Sequence, residues 1–342
     1  MSVYALAMKR LLGGGDLDAD TAEDLLEALL DGALGPARTA AVLTALAAKG
    51  ETAVEVAGFA EALRRHALPV KARGPLLDTC GTGGSGLATL NTSTLSALIC
   101  AAAGVRVAKH GNRASSGACG SMDVLEHLGV PIDLTPEQGQ SLLGSGPLAF
   151  LNARVHHPAL GPLGAIRKSL GFRTVFNLLG PLCNPARPAF QIIGVPDARF
   201  GPLLITALRR LGTKRAMVVA GEDGLDEISL ATGTRYWELF DDGSTADGLM
   251  LPEDFGLKRA PFSQTADGGV HQNAERFLAL LRGEDTGPRR DHTILNAGAA
   301  LYVAGRAGDI EDGADLARDL LAKGEAYRVF LHYRSSAAAL LA

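Results

Sequence analysis

The sequence predicts an α/β protein: a small all-helical N-terminal domain over residues 1–68, then a large α/β domain over residues 69–342 with a mainly parallel central sheet. Three observations carry this. The chain has 342 residues, 47% hydrophobic and 20% charged, enough for two ordinary domains with packed cores and far from the composition of a disordered chain. Its first 66 residues read as helices only. Beyond Pro69 short β-like runs alternate with helical ones, the pattern of parallel strands joined by crossover helices.

In the first domain, Thr21 with Asp24 has capping-box spacing, followed by Leu25-Leu26, Leu29-Leu30 and a stop at Gly32. Pro36 suits the first turn of a helix through Ala40–Ala48 that Gly50 ends. Thr52 and Glu55 form another box, opening a helix to His66. Each helix has an apolar stripe. A module this small cannot hide its stripes alone, so it must pack on the rest of the chain or on a second subunit. In the second domain, strands are expected at Leu76–Thr79, Val105–Ala108, Pro147–Leu151, Phe190–Val195 and Ala216–Ala220. Helices are expected at about Thr92–Ala103, Met122–Leu128 and Pro202–Leu211, and Asp241–Gly248 reads as an exposed turn. The chain then returns to helix at Ala274–Arg282, Thr293–Ala304 and Asp315–Gly324.

Composition excludes several function classes. A formal net charge of −4 argues against a general polyanion binder, so nucleic acid is not expected as a partner. Aromatic residues are 5%, with Trp237 the one tryptophan, too few for base-stacking platforms. Cys80, Cys100, Cys119 and Cys183 share no C-x-x-C spacing and fit a reducing compartment. The first dozen residues lack a signal-peptide pattern, and the most apolar stretch, Leu95–Val105, is too short to cross a bilayer. The expectation is a soluble cytoplasmic enzyme without a membrane partner. Glycine is high, 42 residues, which marks loops where backbone approaches a neighbour or ligand closely.

Three segments carry chemistry. The run from Asp78 to Gly86 follows a strand and is rich in glycine, with Asn91, Thr92, Ser93 and Thr94 opening a helix after it. Converging backbone N–H groups and a helix N-terminus make a phosphate site. Gly81, Gly83 and Gly86 also satisfy G-x-G-x-x-G, so a dinucleotide fold is the runner-up. That fold wants a carboxylate at the end of the next strand, where Lys109-His110 stands instead. No G-K-[ST] follows, which removes a Walker-type site. The second segment, Lys109 to Arg113, places Lys, His, Asn and Arg at a strand's carboxyl end, suited to more phosphate. The third, Gly221 to Glu227, puts Asp226 and Glu227 on a loop where both can meet one Mg²⁺ beside phosphate oxygens. Arg167 follows His156-His157 and can grip a carboxylate bidentately. The segment Phe176–Pro185 reads as a pocket wall or hinge.

Gly81-Thr82-Gly83-Gly84, Lys109–Arg113, Arg173–Leu182 and Asp223–Ser229, in this order, resemble the anthranilate phosphoribosyltransferase family. The likeness runs from Lys49-Gly50-Glu51-Thr52 to Leu295-Asn296-Ala297-Gly298. It implies the fold shared by nucleoside phosphorylases and these transferases, with a helical segment around 160–185 joining the first domain in space. It also implies a homodimer through the helical domain. The implied reaction is Mg²⁺-dependent transfer of the 5-phosphoribosyl group of PRPP to the amino group of anthranilate, releasing pyrophosphate. By this resemblance Gly81, Thr82, Gly83, Gly84, Asn91, Ser93, Thr94, Lys109 and Ser121 would hold PRPP. Ser93, Asp226 and Glu227 would hold the metal, with Lys109, Asp226 and Glu227 catalytic. Gly81, His110, Asn112, His157, Arg167 and Pro181 would line the anthranilate channel. The chain departs from the family pattern at Ser85, where Asp is usual, at Gly117 and Ala118, at Asn152-Ala153-Arg154 and at Leu160-Gly161. These departures leave two alternatives: another small aromatic acceptor, or a weakened member that binds a ligand or nucleic acid.

Overall fold

A computed structural model describes residues 1–114 and 119–341. Four helices open the chain: α1 (Val3–Leu12), α2 (Ala19–Leu30), α3 (Gly35–Lys49) and α4 (Ala53–His66). The cap of α2 is Asp18, which accepts the Thr21 N–H at 2.8 Å and pairs with Arg10. Thr21 and Asp24 therefore lie inside the helix. Leu17, buried with its N–H on Glu55 at 2.8 Å, turns the chain before them. The Thr52–Glu55 box forms reciprocally, with Lys49 3.0 Å from the buried Glu55 carboxylate. A cap of this kind contributes about 1 kcal/mol.

One sheet runs in the order β3-β2-β1-β4-β5-β6-β7, made of β1 (Leu77–Asp78), β2 (Val107–Gly111), β3 (Leu148–Asn152), β4 (Phe190–Gly194), β5 (Arg215–Gly221), β6 (Thr234–Leu239) and β7 (Thr245–Met250). The first five are parallel, while β6 and β7 are antiparallel additions. The expected turn at Asp241–Gly248 is thus only partly a turn, since Thr245 onward is an edge strand. Its Thr-Ala-Asp-Gly-Leu-Met sequence is poor in β-formers and is ordered by pairing with β6.

Helices α5 (Thr92–Ala102), α6 (Ser121–His127), α7 (Pro136–Ser145), α8 (Ala153–His156), α9 (Leu163–Leu170), α10 (Phe176–Leu179) and α11 (Gly201–Arg210) connect the parallel strands. Helices α12 (Phe262–Thr265), α13 (Val270–Leu281), α14 (Pro288–Val303), α15 (Ile310–Ala322) and α16 (Glu325–Ala339) close the chain. Among the described residues no helix is long and apolar enough to cross a membrane.

The two faces of the sheet feed two cores, with the period of two that a strand imposes. Met217 and Val219 of β5 pack into a core with α5, α13, α14 and α16. Ala216, Val218 and Ala220 face the opposite core, which holds α11, Val56, Phe59 and Leu63 of α4, and Leu25, Leu26 and Leu29 of α2. Leu163, Val175, Phe176, Leu178, Leu179 and Leu182 lie in that second core too. The apolar stripes of the helical domain are therefore covered largely by the chain itself. The order of strands reverses direction between β1 and β4, which opens a crevice at their carboxyl ends.

Candidate active site

Three backbone segments meet at that crevice. The Thr82 N–H donates to the Gly194 carbonyl at 2.9 Å, joining the glycine-rich turn to the end of β4. A Cβ on Gly194 would stand 1.7 Å from the Asp226 carbonyl oxygen, so only glycine lets the Asp226-Glu227 loop lie against β4. The result is a cleft of about 410 Å³ that brings all three chemistry-bearing segments together. Its wall includes Gly81, Thr82, Gly83, Gly84, Asn91, Ser93, Lys109, His110, Asn112, Ser121, Arg167, Asp226 and Glu227.

Three predicted residues do not reach the wall. Thr94 is fully buried inside the first turn of α5, and its hydroxyl has no hydrogen-bond partner. His157 sits behind His110, with edge-to-face rings 5.2 Å apart. Pro181 is buried, and its carbonyl accepts from Gln191 Nε2 at 2.7 Å. Gly117 and Ala118 lie outside the described residues.

Lys109 and His110 belong to β2 itself, which runs to Gly111, rather than to a loop beyond it. Both are almost fully buried, held by the parallel register with Phe150 and Leu151. Asp78, fully buried at the end of β1, accepts the His110 N–H at 3.2 Å and Asn184 Nδ2 at 2.7 Å. Asn184 also donates to the Ala108 carbonyl at 2.8 Å, tying β1 and β2 to the 176–185 segment. Burial pushes the Asp78 carboxyl up to about 6, opposed by the nearby Lys109 ammonium. Burial, with His157 adding to it, holds His110 well below the usual imidazole range, so it is neutral. Its Nδ1 faces the Gly180 carbonyl at 3.2 Å, which assigns the proton there and leaves Nε2 as an unpartnered acceptor.

The acidic loop is the other electrostatic feature. Glu227 Oε2 is buried without a hydrogen-bond partner, and His292 Nε2 lies 3.4 Å away. Burial and then the Asp226 charge push the Glu227 carboxyl well above its ordinary range, while burial holds His292 down at about 4. A neutral imidazole cannot neutralise Glu227, so the nearby Lys109 ammonium is the charge that opposes its burial. Among the described residues no group of three or more such ligands forms a closed metal cage. Two carboxylates opening onto a phosphate-sized cleft are the donor set that Mg²⁺ takes when substrate oxygens and water complete its shell.

On the part of the wall that the 153–180 segment supplies, Arg167 of α9 stacks on Phe176, with its guanidinium carbon 5.0 Å from the ring centroid. It has no carboxylate partner among the described residues, which leaves its fork free. Arg113, by contrast, is spent: both its terminal nitrogens bind Glu126 at 2.7 Å, and Nη1 lies 3.2 Å from Asp123. Asn152 accounts for its own departure locally, since it caps α8 and binds Asp133 at 2.8 Å. At the glycine-rich turn, Ser85 makes only a local contact, its hydroxyl accepting the Leu87 N–H at 3.4 Å. Gly194 and His292 carry no local sequence signal for their positions, and Arg173 and Asn184, though inside the segments singled out above, carry none for their partners: Arg173 Nη1 reaches the Gly84 carbonyl at 3.2 Å and Asn184 Nδ2 reaches Asp78 at 2.7 Å.

Comparison with known proteins bears on this geometry. The chain matches the glycosyl transferase family, a/b domain, over residues 73–327, and the glycosyl transferase family, helical bundle domain, over residues 6–67. It is 45% identical over 320 residues to the anthranilate phosphoribosyltransferase of Rubrobacter xylanophilus, spanning 94% of this chain and 93% of that one. The crystal structure of anthranilate phosphoribosyltransferase from Thermus thermophilus superimposes with a TM-score of 0.91 at 41% identity, covering 97% of this chain and 99% of that one. The enzyme from Saccharomyces cerevisiae in complex with PRPP and Mg gives 0.89 at 28% identity over 98% of both chains. The yeast enzyme in complex with 4-fluoroanthranilate gives 0.88 at 26% identity, again over 98% of both. With both domains matched and the likeness running through nearly the whole length, the chain belongs to the anthranilate phosphoribosyltransferase family.

Proposed function

We propose that the protein transfers the 5-phosphoribosyl group of PRPP to the amino group of anthranilate, releasing pyrophosphate, in the tryptophan pathway. The observation that carries this is one cleft with two chemically different walls. Phosphate donors and a carboxylate pair stand on one side, and an unpaired Arg167 on the other. In the reaction the bond from the anomeric carbon to pyrophosphate breaks, a carbon–nitrogen bond forms, and the amine loses a proton.

Gly81 to Gly84 offer backbone N–H groups to pyrophosphate. Asn91, which makes no capping bond to α5, offers its side chain with Ser93 to phosphate. Ser121 reaches the same pocket from the start of α6. Lys109 adds a fixed positive charge where leaving-group charge develops. Asp226 and Glu227, with Ser93, would hold Mg²⁺, whose chemistry when bound is to neutralise the departing pyrophosphate. Arg167 receives the anthranilate carboxylate. Neutral His110 and Asn112 orient the amine, with His157 and Pro181 supporting the channel from behind. An anomeric carbon with cationic character asks for positioning more than for a strong base, and no general base is assigned. A homodimer through the helical domain would cover the exposed Leu12 of α1, and light scattering tests it.

Protein, PRPP, anthranilate and Mg²⁺ are mixed, and anthranilate fluorescence is followed beside pyrophosphate release. Equimolar loss and release, abolished by EDTA, are expected. No turnover at saturating PRPP, or turnover with a different aromatic amine only, would refute the assignment.

A further inference from the structure

Beside the cleft, a separate cavity of about 200 Å³ lies between the α3–α4 corner, the segment leading into α10, and the short helical turn around Phe200. Its polar lining is unusual because its donors have nothing to bind. Arg173 Nε and Nη2 are buried without a partner, and so is the hydroxyl of Thr174, a residue only 4% exposed. Arg173 has no carboxylate partner among the described residues. Its guanidinium is steadied by Phe200, with the guanidinium carbon 6.0 Å from the ring centroid, and Arg199 stacks on the same ring at 4.7 Å. Two guanidinium groups thus share one phenyl ring. Glu51 is the one carboxylate on the wall, and burial holds its carboxyl above the ordinary range, which weakens it as a counter-ion.

Arg199 is exposed and pairs with Asp197 at 2.9 Å, so the wall's uncompensated charge is that of Arg173, and its unsatisfied buried donors call for an acceptor with several oxygens. We propose that this cavity is a second anion site, taking a small oxyanion of the phosphate or carboxylate type on Arg173 Nε and Nη2 and the Thr174 hydroxyl. The site is linked to the cleft through one atom. Arg173 Nη1 donates to the Gly84 carbonyl at 3.2 Å, so an anion that fixes the other two guanidinium nitrogens also fixes the glycine-rich turn. A Cβ on Gly84 would fall 2.7 Å from the same Nη1, so the guanidinium lies close against the turn. This site stands apart from the phosphoribosyl-transfer centre and does not require that chemistry.

The test is to soak crystals in selenate and locate it by anomalous difference density. A peak between Arg173 and Thr174 is expected, with oxygens about 3 Å from the donors. In Thr174→Val crystals that peak should be lost while anions elsewhere remain. In solution, inorganic phosphate titrated at constant ionic strength should raise the Tm in a saturable way. Its midpoint should weaken at least fivefold in Thr174→Val and in Arg173→Gln, with circular dichroism confirming the fold. A cavity holding only water at high selenate, or unchanged phosphate midpoints in both variants, would overturn the proposal. A peak here without one at the glycine-rich turn would count against the phosphoribosyl reading alone.

Discussion

The two walls of the cleft are built differently. The sheet wall consists of strand ends and the turns that leave them. Asp78, Lys109 and His110 are each 3% exposed or less, and Asn184 pins three segments together behind them. The opposite wall comes from the 153–180 linker, made of short helices. In α9, which carries Arg167, only Leu163 is buried. The sheet wall is preorganised before any ligand arrives, as stabilising a developing negative charge requires. The linker is anchored in the second core through Val175, Phe176, Leu178 and Leu179, but α9 itself is held by one buried residue, which suits a helix that adjusts as the acceptor enters.

Substitutions can break this contrast, beginning with the acidic loop. Asp226→Asn with Glu227→Gln should lower kcat/KM by at least about 10³-fold, about 4 kcal/mol of transition-state stabilisation. Steady-state assays over a range of Mg²⁺ check this, and retained activity would refute the metal role. Next, Asn184→Ala removes a donor from a fully buried carboxylate and should cost about 3 kcal/mol of stability, read by urea denaturation. On the linker wall, Arg167→Gln should raise the KM for anthranilate by about 30-fold, near 2 kcal/mol, and leave the KM for PRPP unchanged.

The smallest expected effect is on pH dependence. Burial holds His157 at about 4, against an ordinary value of 6.5. The unfolded chain therefore takes up a proton first, so this contribution to stability is complete above pH 6.5 and declines as the pH falls toward 4. By pH 5 the loss should be about 1–2 kcal/mol. Denaturation at the two pH values should show this slope flattened in His157→Gln.

The sheet wall was also the more legible in sequence. A strand, clustered glycines and polar residues opening a helix announce a phosphate turn locally. The same holds for the Thr52–Glu55 box, whose partners lie three residues apart. Misreadings arose where a distant partner decides. Arg113 looks like a free anion binder until Glu126 is folded against it, 13 residues on. Asp18 outcompetes Thr21 as a cap because Arg10 and Leu17 fix the chain's entry. The edge strand β7 needs β6 to exist at all, whereas α7, which like α16 is not among the expected helices, carries a local signal of its own, the Thr135–Gln138 box with Pro136 in the first turn. Nothing local marks Asn184 as the partner of Asp78, 106 residues away, or Gly194 as the point where Asp226 must pass.

The most direct test of this division of labour is the dissociation constant of PRPP with Mg²⁺, measured by calorimetry without anthranilate. It should be measured on the wild type, on Arg167→Gln and on the Asp226→Asn, Glu227→Gln double variant. The two-wall account predicts that Arg167→Gln binds PRPP within about twofold of wild type, while the double variant binds about 100-fold more weakly. Equal weakening in both, or weakening only in Arg167→Gln, would contradict it.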